Sequence, residues 1–343
     1  MTDKKSKRPL VIGSFLLVTL LVVAGYAVSG KLNPAEKKVT VIRIGSTAPG
    51  HVKFLLNQQK HWLDEEFAKD GIKVEYFPFA GGGQEAATAL ATGGLDIAFT
   101  ASAPALRTAA SGANVKLIAL SSFGSNGGSS IAVRKDSSIQ SVKDLKGKKV
   151  AFLTGTVRHS TITKALKLEG LSLKDIDGLN LAFEASGPAL MRGDIDAIVE
   201  GRTTFTPLAD TDSIRIILDG RDHPEWSSPS AISVNGDFLK KHPDLVKRFL
   251  KIDLLSARWA DANPAETIKI IADATKKKLS AVQKDHPDNK FYTEPRISQQ
   301  AIDAFKSEEI FLKDAGLANG TVNYGNWIYS KLIDEVYAEF PGK

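Results

Sequence analysis

The chain of 343 residues contains no cysteine. This absence excludes disulfides, thiolate metal sites, a cysteine nucleophile and a lipid anchor on cysteine from the sequence. Three further patterns are missing: Gly-x-Ser-x-Gly of serine hydrolases, His-Glu-x-x-His of metalloproteases and the Gly-Lys-Ser/Thr ending of a phosphate-binding loop. No second histidine stands at metal-ligand spacing. We therefore expect no enzyme, no cofactor and no metal.

The composition is that of a globular protein without a strong charge bias. Hydrophobic residues make up 43% and charged residues 24%, and the length allows two separate cores. The formal net charge of +6 is not accompanied by a basic stripe interleaved with aromatics or by a helix-turn-helix pattern, so nucleic acid is not an expected partner. A mildly positive protein suits a small anionic ligand.

Residues 1–29 are predicted to be a signal peptide or a membrane anchor. Four basic side chains between Lys4 and Arg8 precede an apolar run over 10–28, and Ala27-Val-Ser29 offers small residues to a signal peptidase. The apolar run, at about 1.5 Å per residue, nearly matches the ~30 Å of bilayer hydrocarbon, so cleavage and retention both stay open. Either way the body of the protein is expected in the periplasm, after a polar leader at 30–38.

One segment occurs twice, a hundred residues apart, at 90–104 and 190–204. The identical positions are Leu90/Leu190, Gly93/Gly193 and Asp96/Asp196. Each copy has the pattern of a helix end, a glycine stop, a short apolar strand and a run of small polar residues. Earlier strand-like segments repeat at a similar spacing, which predicts two lobes of β-α-β-α-β build. Ligands of such α/β folds bind at the carboxyl ends of the strands.

The order of the predicted elements suggests that one lobe is inserted into the other. The first lobe is predicted at 39–130 plus 228–343, with the C-terminal helices bracing it, and the second lobe at 131–227. Ile131–Val133 and Ala231–Val234 are predicted to pair as a two-stranded hinge. The linkers beside these strands would absorb the rotation when the lobes close on a ligand.

Two long helices are predicted. One runs from His51 to about Asp70, with apolar side chains on one side, and another from Ala265 to about Lys284. Three consecutive glycines at 81–83 follow the second strand, and their backbone allows close approach of a ligand or a neighbouring loop.

Five segments of the chain stand in a characteristic order, namely Ile42–Gly45, Leu95–Pro104, Ile131–Ile139, Val142–Ala151 and Gly193–Ala197. Taken together, they resemble the periplasmic substrate-binding proteins of ABC importers for nitrate, aliphatic sulfonates and taurine. The resemblance implies an α/β, type II periplasmic-binding-protein fold, with two lobes that close on one small molecule. It also implies delivery to a membrane permease driven by an ATPase, and no catalysis.

One departure from the family concerns the end of the second copy. Family members often carry a Trp-Asp-Pro run there, whose aspartate can face an amine, whereas this chain has Arg202 at the position of the aspartate. The change argues against a taurine-like zwitterion. With Arg158, it places two cations at the predicted cleft and favours a sulfonate- or carboxylate-like anion.

The predicted ligand-binding residues follow the strands of both lobes. Hydroxyl groups and free N–H groups at helix starts would donate to oxyanions, and arginines would add bidentate ion pairs. The residues are Ser46, Thr47, His51, Thr100, Ala101, Ser102, Gly155, Thr156, Arg158, His159 and Arg202.

Structural roles remain open for the same side chains. Thr100 and Ser102 would serve equally well as caps of the following helix. Arg202 would pair with Glu200, and Arg158 would be solvated. The two histidines, His51 and His159, would stabilise turns or cap helices, and the paired Asp96 and Asp196 would stabilise turns.

Other functions that use the same fold also remain open. A ligand-sensing module held at the membrane by the apolar N-terminal run is one, and a binder of pyrimidines or nitrate is another. We expect a monomer whose partners are the small anionic solute, the permease and its ATPase.

Overall fold

A computed structural model describes residues 38–47, 51–79, 83–124, 129–209, 211–286 and 288–341. The predicted export segment, most of the leader, the first two glycines of the triplet and the middle of the first linker lie outside these ranges. The chain divides into two compact units, and the fold below is that of Val41–Lys343. In the described ranges no helix combines the length and the apolar character that crossing a bilayer requires.

Ten strands form two five-stranded sheets in the described residues. The first sheet has the order β2-β1-β3-β10-β4 and the second the order β7-β6-β8-β5-β9. The strands are β1 (Val41–Ser46), β2 (Lys73–Pro78), β3 (Ile97–Ala101), β4 (Val115–Ser122), β5 (Ser130–Arg134), β6 (Lys149–Phe152), β7 (Asp177–Asn180), β8 (Ala197–Glu200), β9 (Ile214–Leu218) and β10 (Ser230–Asn235).

The two sheets have the same plan. In each, one strand lies between two others and runs parallel to both, as β1 does with β2 and β3 and β6 does with β7 and β8. One antiparallel strand then follows in each sheet: β10 separates β3 from β4, and β5 separates β8 from β9. The predicted α/β architecture of two similar mixed sheets is confirmed.

The predicted pairing of Ile131–Val133 with Ala231–Val234 is wrong. Strand β5 pairs with β8 and β9, and β10 pairs with β3 and β4. The chain passes between the sheets twice, from β4 to β5 and from β9 to β10, and each strand that follows a crossing enters the interior of the sheet it reaches. The two segments look like partners because they occupy equivalent positions in the two sheets.

Helices flank the sheets and continue after β10. They are α1 (Val52–Lys60), α2 (Trp62–Ala68), α3 (Gly83–Ala91), α4 (Ser102–Ala110), α5 (Val157–Leu168), α6 (Phe183–Arg192), α7 (Arg202–Ala209), α8 (Gly236–Lys241), α9 (Pro243–Ala262), α10 (Pro264–Thr275), α11 (Leu279–Asp285), α12 (Gln299–Asp314), α13 (Tyr324–Trp327) and α14 (Lys331–Glu339).

Both long predicted helices are broken by a residue in the left-handed conformation. His61 has φ 59° between α1 and α2, and Lys276 has φ 59° at the end of α10. Periodicity continues across such a break because the apolar side chains on both sides still face the same core. The C-terminal helices do pack on the first sheet, since Phe305 and Trp327 share a buried cluster with Leu117.

The duplicated segment performs the same structural task in both sheets. Gly93 and Gly193 end their helices with φ of 78° and 81°, which a glycine adopts without strain. The Asp96 carboxylate accepts the Arg43 backbone N–H at 2.8 Å, and the Asp196 carboxylate accepts the Lys149 backbone N–H at the same distance. Each aspartate thus attaches the start of the third strand to the first strand, a wider role than the predicted turn.

Asp96 makes more bonds than its counterpart. Its carboxylate also accepts from the Arg43 side chain, at 3.1 Å from Nε and 2.8 Å from Nη2. Asp196 has no second partner of this kind, because Lys149 occupies the equivalent strand position. The two copies therefore have the same local fold, but Asp96 is held by more hydrogen bonds than Asp196.

Replacing Asp96 with alanine should lower the free energy of unfolding by about 2–3 kcal/mol, because several charged hydrogen bonds are lost. Asp196→Ala should cost about 1 kcal/mol, since one such bond is lost. Urea unfolding followed by circular dichroism measures both. Asp194→Ala, which removes an exposed ion pair with Arg192, is the control and should change stability by less than about 0.5 kcal/mol. Equal losses for Asp96 and Asp196 would contradict the assignment.

Candidate functional site

The first sheet brings two predicted residues, Ser46 and Thr100, together at the carboxyl ends of β1 and β3. Ser46 ends β1 opposite Phe99, so Thr100 on β3 is its near neighbour, and both side chains are buried. Ser46 Oγ has no hydrogen-bond partner among the described residues. A buried hydroxyl without a partner costs free energy, which a ligand acceptor at this position would offset.

The turn from β3 to α4 leaves the start of that helix without a side-chain cap. Ala101, and neither Thr100 nor Ser102, is the N-cap residue, and its side chain cannot accept a hydrogen bond. The capping role considered for Thr100 and Ser102 is therefore wrong. Ser102 Oγ lies 2.5 Å from Ser228 Oγ, in the segment that returns from the second sheet. The first N–H groups of α4 remain open to an acceptor.

His51 lies directly before α1 and contacts the strand ends. Its Nδ1 is 2.8 Å from Ser121 Oγ and its Nε2 is 3.4 Å from Thr47 Oγ1. Burial, with a smaller contribution from the nearby Lys53 ammonium, lowers the pKa of His51 to about 4. The ring is therefore neutral near pH 7 and can only bind a ligand through a hydrogen bond.

A buried ion pair behind His51 was not predicted. Lys53 Nζ donates to Asp253 Oδ2 at 2.7 Å and to the Leu120 carbonyl at 3.2 Å, so α1, α9 and β4 meet at one cation. Burial raises the pKa of Asp253, while Lys53 opposes the rise. The sequence signal was a lysine among the apolar positions of α1, but its partner lies 200 residues away. The pair fixes the helix that presents His51.

The second sheet places its predicted residues around the start of α5. Gly155 has φ 73°, and Thr156 is the N-cap, whose Oγ1 accepts from the Arg158 N–H at 3.2 Å and donates to the Leu153 carbonyl at 2.7 Å. His159 Nδ1 accepts from the Gly155 N–H at 3.3 Å. Burial lowers the pKa of His159, which is 7% exposed. Thr156 and His159 thus have turn and cap partners.

Both arginines predicted for the cleft have carboxylate partners. Arg158 Nε donates to Glu200 Oε2 at 2.5 Å, and Glu200 is only 1% exposed. Burial raises the pKa of Glu200, while Arg158 opposes the rise. Arg202 pairs with Asp219, and so does Arg221. The predicted alternatives, Arg202 with Glu200 and a solvated Arg158, are both wrong, because the carboxylate at the end of β8 faces α5.

Two residues of the second-sheet group contact helices that flank the first sheet. A Cβ placed on Gly155 would stand 3.4 Å from Arg107 Nη1, so this glycine lies close to α4. The His159 ring packs edge-on against Phe311 of α12, with centroids 5.1 Å apart. The start of α5 therefore lies against elements of the first sheet.

A separate groove of about 430 Å³ lies between α1, α2 and α9. Trp62 and Trp259 line it in an edge-to-face pair, and it contains none of the predicted residues. In the described part of the chain, no three His, Asp or Glu side chains are grouped so as to hold a metal ion.

Two mixed sheets with equivalent strand orders, linked by two crossings, define a two-lobed α/β fold of the type II periplasmic-binding-protein class. Comparison with known proteins agrees with this fold class. The family model described as NMT1/THI5 like matches residues 48–267, so the chain belongs to the NMT1/THI5-like family.

Relatives of known description share both sequence and fold with the chain. A protein of Bacillus subtilis named as an aliphatic sulfonates-binding protein is 29% identical over 294 residues, which are 83% of this chain and 86% of that protein. The crystal structure of the periplasmic aliphatic sulphonate binding protein SsuA from Escherichia coli has a TM-score of 0.74 at 19% identity, covering 85% of this chain and 93% of that one.

The same fold also occurs in a protein described as an enzyme. The crystal structure of the desulfurization enzyme DszB matches with a TM-score of 0.69 at 14% identity, over 87% of this chain and 99% of that one. The likeness at this identity concerns the fold alone. A two-lobed fold of this kind therefore does not by itself decide between binding and catalysis.

His51 should make stability depend on pH in acid. Its pKa is near 6.5 in the unfolded chain and about 4 in the folded protein, so only the unfolded chain takes up this proton as the pH falls between these values. The free energy of unfolding should decrease over that window, and His51→Gln should reduce the decrease by roughly 2–3 kcal/mol. Urea unfolding at a series of pH values measures it.

The control for this experiment is His61→Gln, because the His61 side chain is 71% exposed. The control should keep the pH dependence of the unaltered protein. If His51→Gln and His61→Gln gave the same profile, His51 would not be held neutral by its surroundings.

Proposed function

We propose that the protein is the extracytoplasmic solute-binding component of an ABC importer that encloses a small organic anion between its lobes. The observation that carries the proposal is the gathering of donors at the strand ends of both sheets, together with the contacts that Gly155 and His159 make with helices of the first lobe. The ligand would be a sulfonate or a related carboxylate, delivered to a permease that an ATPase drives. The family membership and the sulfonate-binding relatives support this assignment.

The first lobe provides the donors best suited to an oxyanion. Ser46 offers a buried hydroxyl without a partner, and α4 begins with N–H groups that no side chain caps. The partial positive charge at a helix start adds a modest attraction for an anion. Thr47 and Thr100 supply further hydroxyls at the same edge, so a sulfonate oxygen would meet several donors at once.

In the second lobe, the positive charges of the predicted arginines are already balanced by carboxylates. Arg158 and Arg202 would still have donor groups to offer, although each already pairs with a carboxylate. Charged hydrogen bonds are worth about 1.5–3 kcal/mol each, and a micromolar affinity requires roughly 8 kcal/mol, so a few contacts from both lobes are sufficient.

Lobe closure is part of the proposed mechanism. We assign 39–130 plus 228–343 to the first lobe and 131–227 to the second. The chain segments between β4 and β5 and between β9 and β10 would absorb the rotation, because they are the connections between the sheets. The permease would then recognise the closed form, and the protein would work as an exported monomer.

The binding experiment is a thermal-shift panel of aliphatic sulfonates, taurine, carboxylates, nitrate and pyrimidines. Ligands that bind only the folded form raise its melting temperature, and a sulfonate at a hundredfold excess over its Kd should raise it by about 5 °C. The sulfonate should then be recovered chemically intact by mass spectrometry. Shifts with pyrimidines alone would refute the anion assignment, and release of sulfite would indicate catalysis.

A further inference from the structure

Arg107 was not among the predicted ligand-binding residues, and it differs from Arg158 and Arg202, which were. Arg158 and Arg202 are balanced by Glu200 and Asp219. Among the arginines in the described ranges, Arg107 alone has no ion pair, no side-chain hydrogen bond and no contact with an aromatic ring.

The environment of Arg107 leaves its charge uncompensated. The side chain is half-buried on α4, and its Nε is buried without a hydrogen-bond partner. Burial lowers the pKa of Arg107, and no carboxylate acts in the opposite direction. Burying a charged group without a counter-ion is unfavourable, and a guanidinium pairs well with oxyanions because two of its N–H groups donate in parallel.

The position of Arg107 is between the lobes. Its Nη1 lies 3.4 Å from where a Cβ on Gly155 would stand, and Leu317 is the other close neighbour of that point. Gly155 belongs to the turn before α5, so the guanidinium of the first lobe meets the strand-end turn of the second. A side chain at Gly155 would occupy the space beside the guanidinium, which glycine leaves free.

We propose that Arg107 binds the anionic group of the ligand at the junction of the two lobes and thereby sets the preference for anionic over neutral ligands. The inference rests on the proposed function. An anion held by Arg107 would also face the turn at Gly155, so binding would draw the two lobes together. Arg158 and Arg202 would then serve mainly to hold their own carboxylates.

The test compares a charged ligand with a neutral one of the same shape. Isothermal titration calorimetry with 1-butanesulfonate and 1-butanesulfonamide gives the preference of the unaltered protein for the anion. Arg107→Gln should weaken butanesulfonate binding about 10- to 100-fold, the range of a charged hydrogen bond, and leave butanesulfonamide binding within about twofold. Arg107→Lys should retain part of the preference, because it keeps the charge without the planar fork.

Arg192→Gln is the matched control, because Arg192 is 64% exposed and pairs with Asp194 at the surface. It should bind both ligands as the unaltered protein does. Urea unfolding of each variant shows whether the folded state is retained.

Other results would contradict either the inference about Arg107 or the proposed function. If Arg107→Gln keeps the preference for butanesulfonate, or weakens both ligands equally, Arg107 is a contact between lobes and the inference is overturned. If the unaltered protein binds neither butanesulfonate nor any other anion of the panel, the proposed function fails, and the inference fails with it.

Discussion

The structure depends on the two strands that follow the crossings between the lobes. Strand β5 lies inside the second sheet and β10 inside the first, each antiparallel and hydrogen-bonded on both sides. The second sheet is built from one continuous stretch of chain, β5 to β9, whereas the first sheet is complete only when the chain returns and adds β10. Completion of the first sheet therefore requires both crossings.

Charge balance shapes the space between the lobes. The second lobe carries arginines that are already paired with buried or half-buried carboxylates, while the described part of the first carries a Ser46 hydroxyl without a partner, a helix start that no side chain caps, and Arg107, which has no ion pair. Ion pairs within a lobe hold their own side chains in place, whereas unpaired donors are available to a ligand. The asymmetry suggests that the first lobe contributes most of the affinity and the second completes the enclosure.

Local sequence patterns were sufficient for the elements that depend on neighbouring residues. Gly93 and Gly193 end helices as predicted, and the apolar runs after them form buried parallel strands. The pairing of β5 and β10 could not be predicted in this way, because strand partners are chosen by the whole sheet and not by the strand. The breaks at His61 and Lys276 were missed because apolar residues that pack in one cluster lie on both sides of each break.

The sequence alone determined the two-lobed α/β fold, through its repeated segment, and the set of polar residues that follow the strands. Only the tertiary structure decided which charges remain free. Whether Arg158, Arg202 or Arg107 has a carboxylate beside it depends on contacts between residues far apart in the chain, such as the 42 positions that separate Arg158 from Glu200. Ion pairing is governed by distance in space and by burial, and neither is visible in the order of residues.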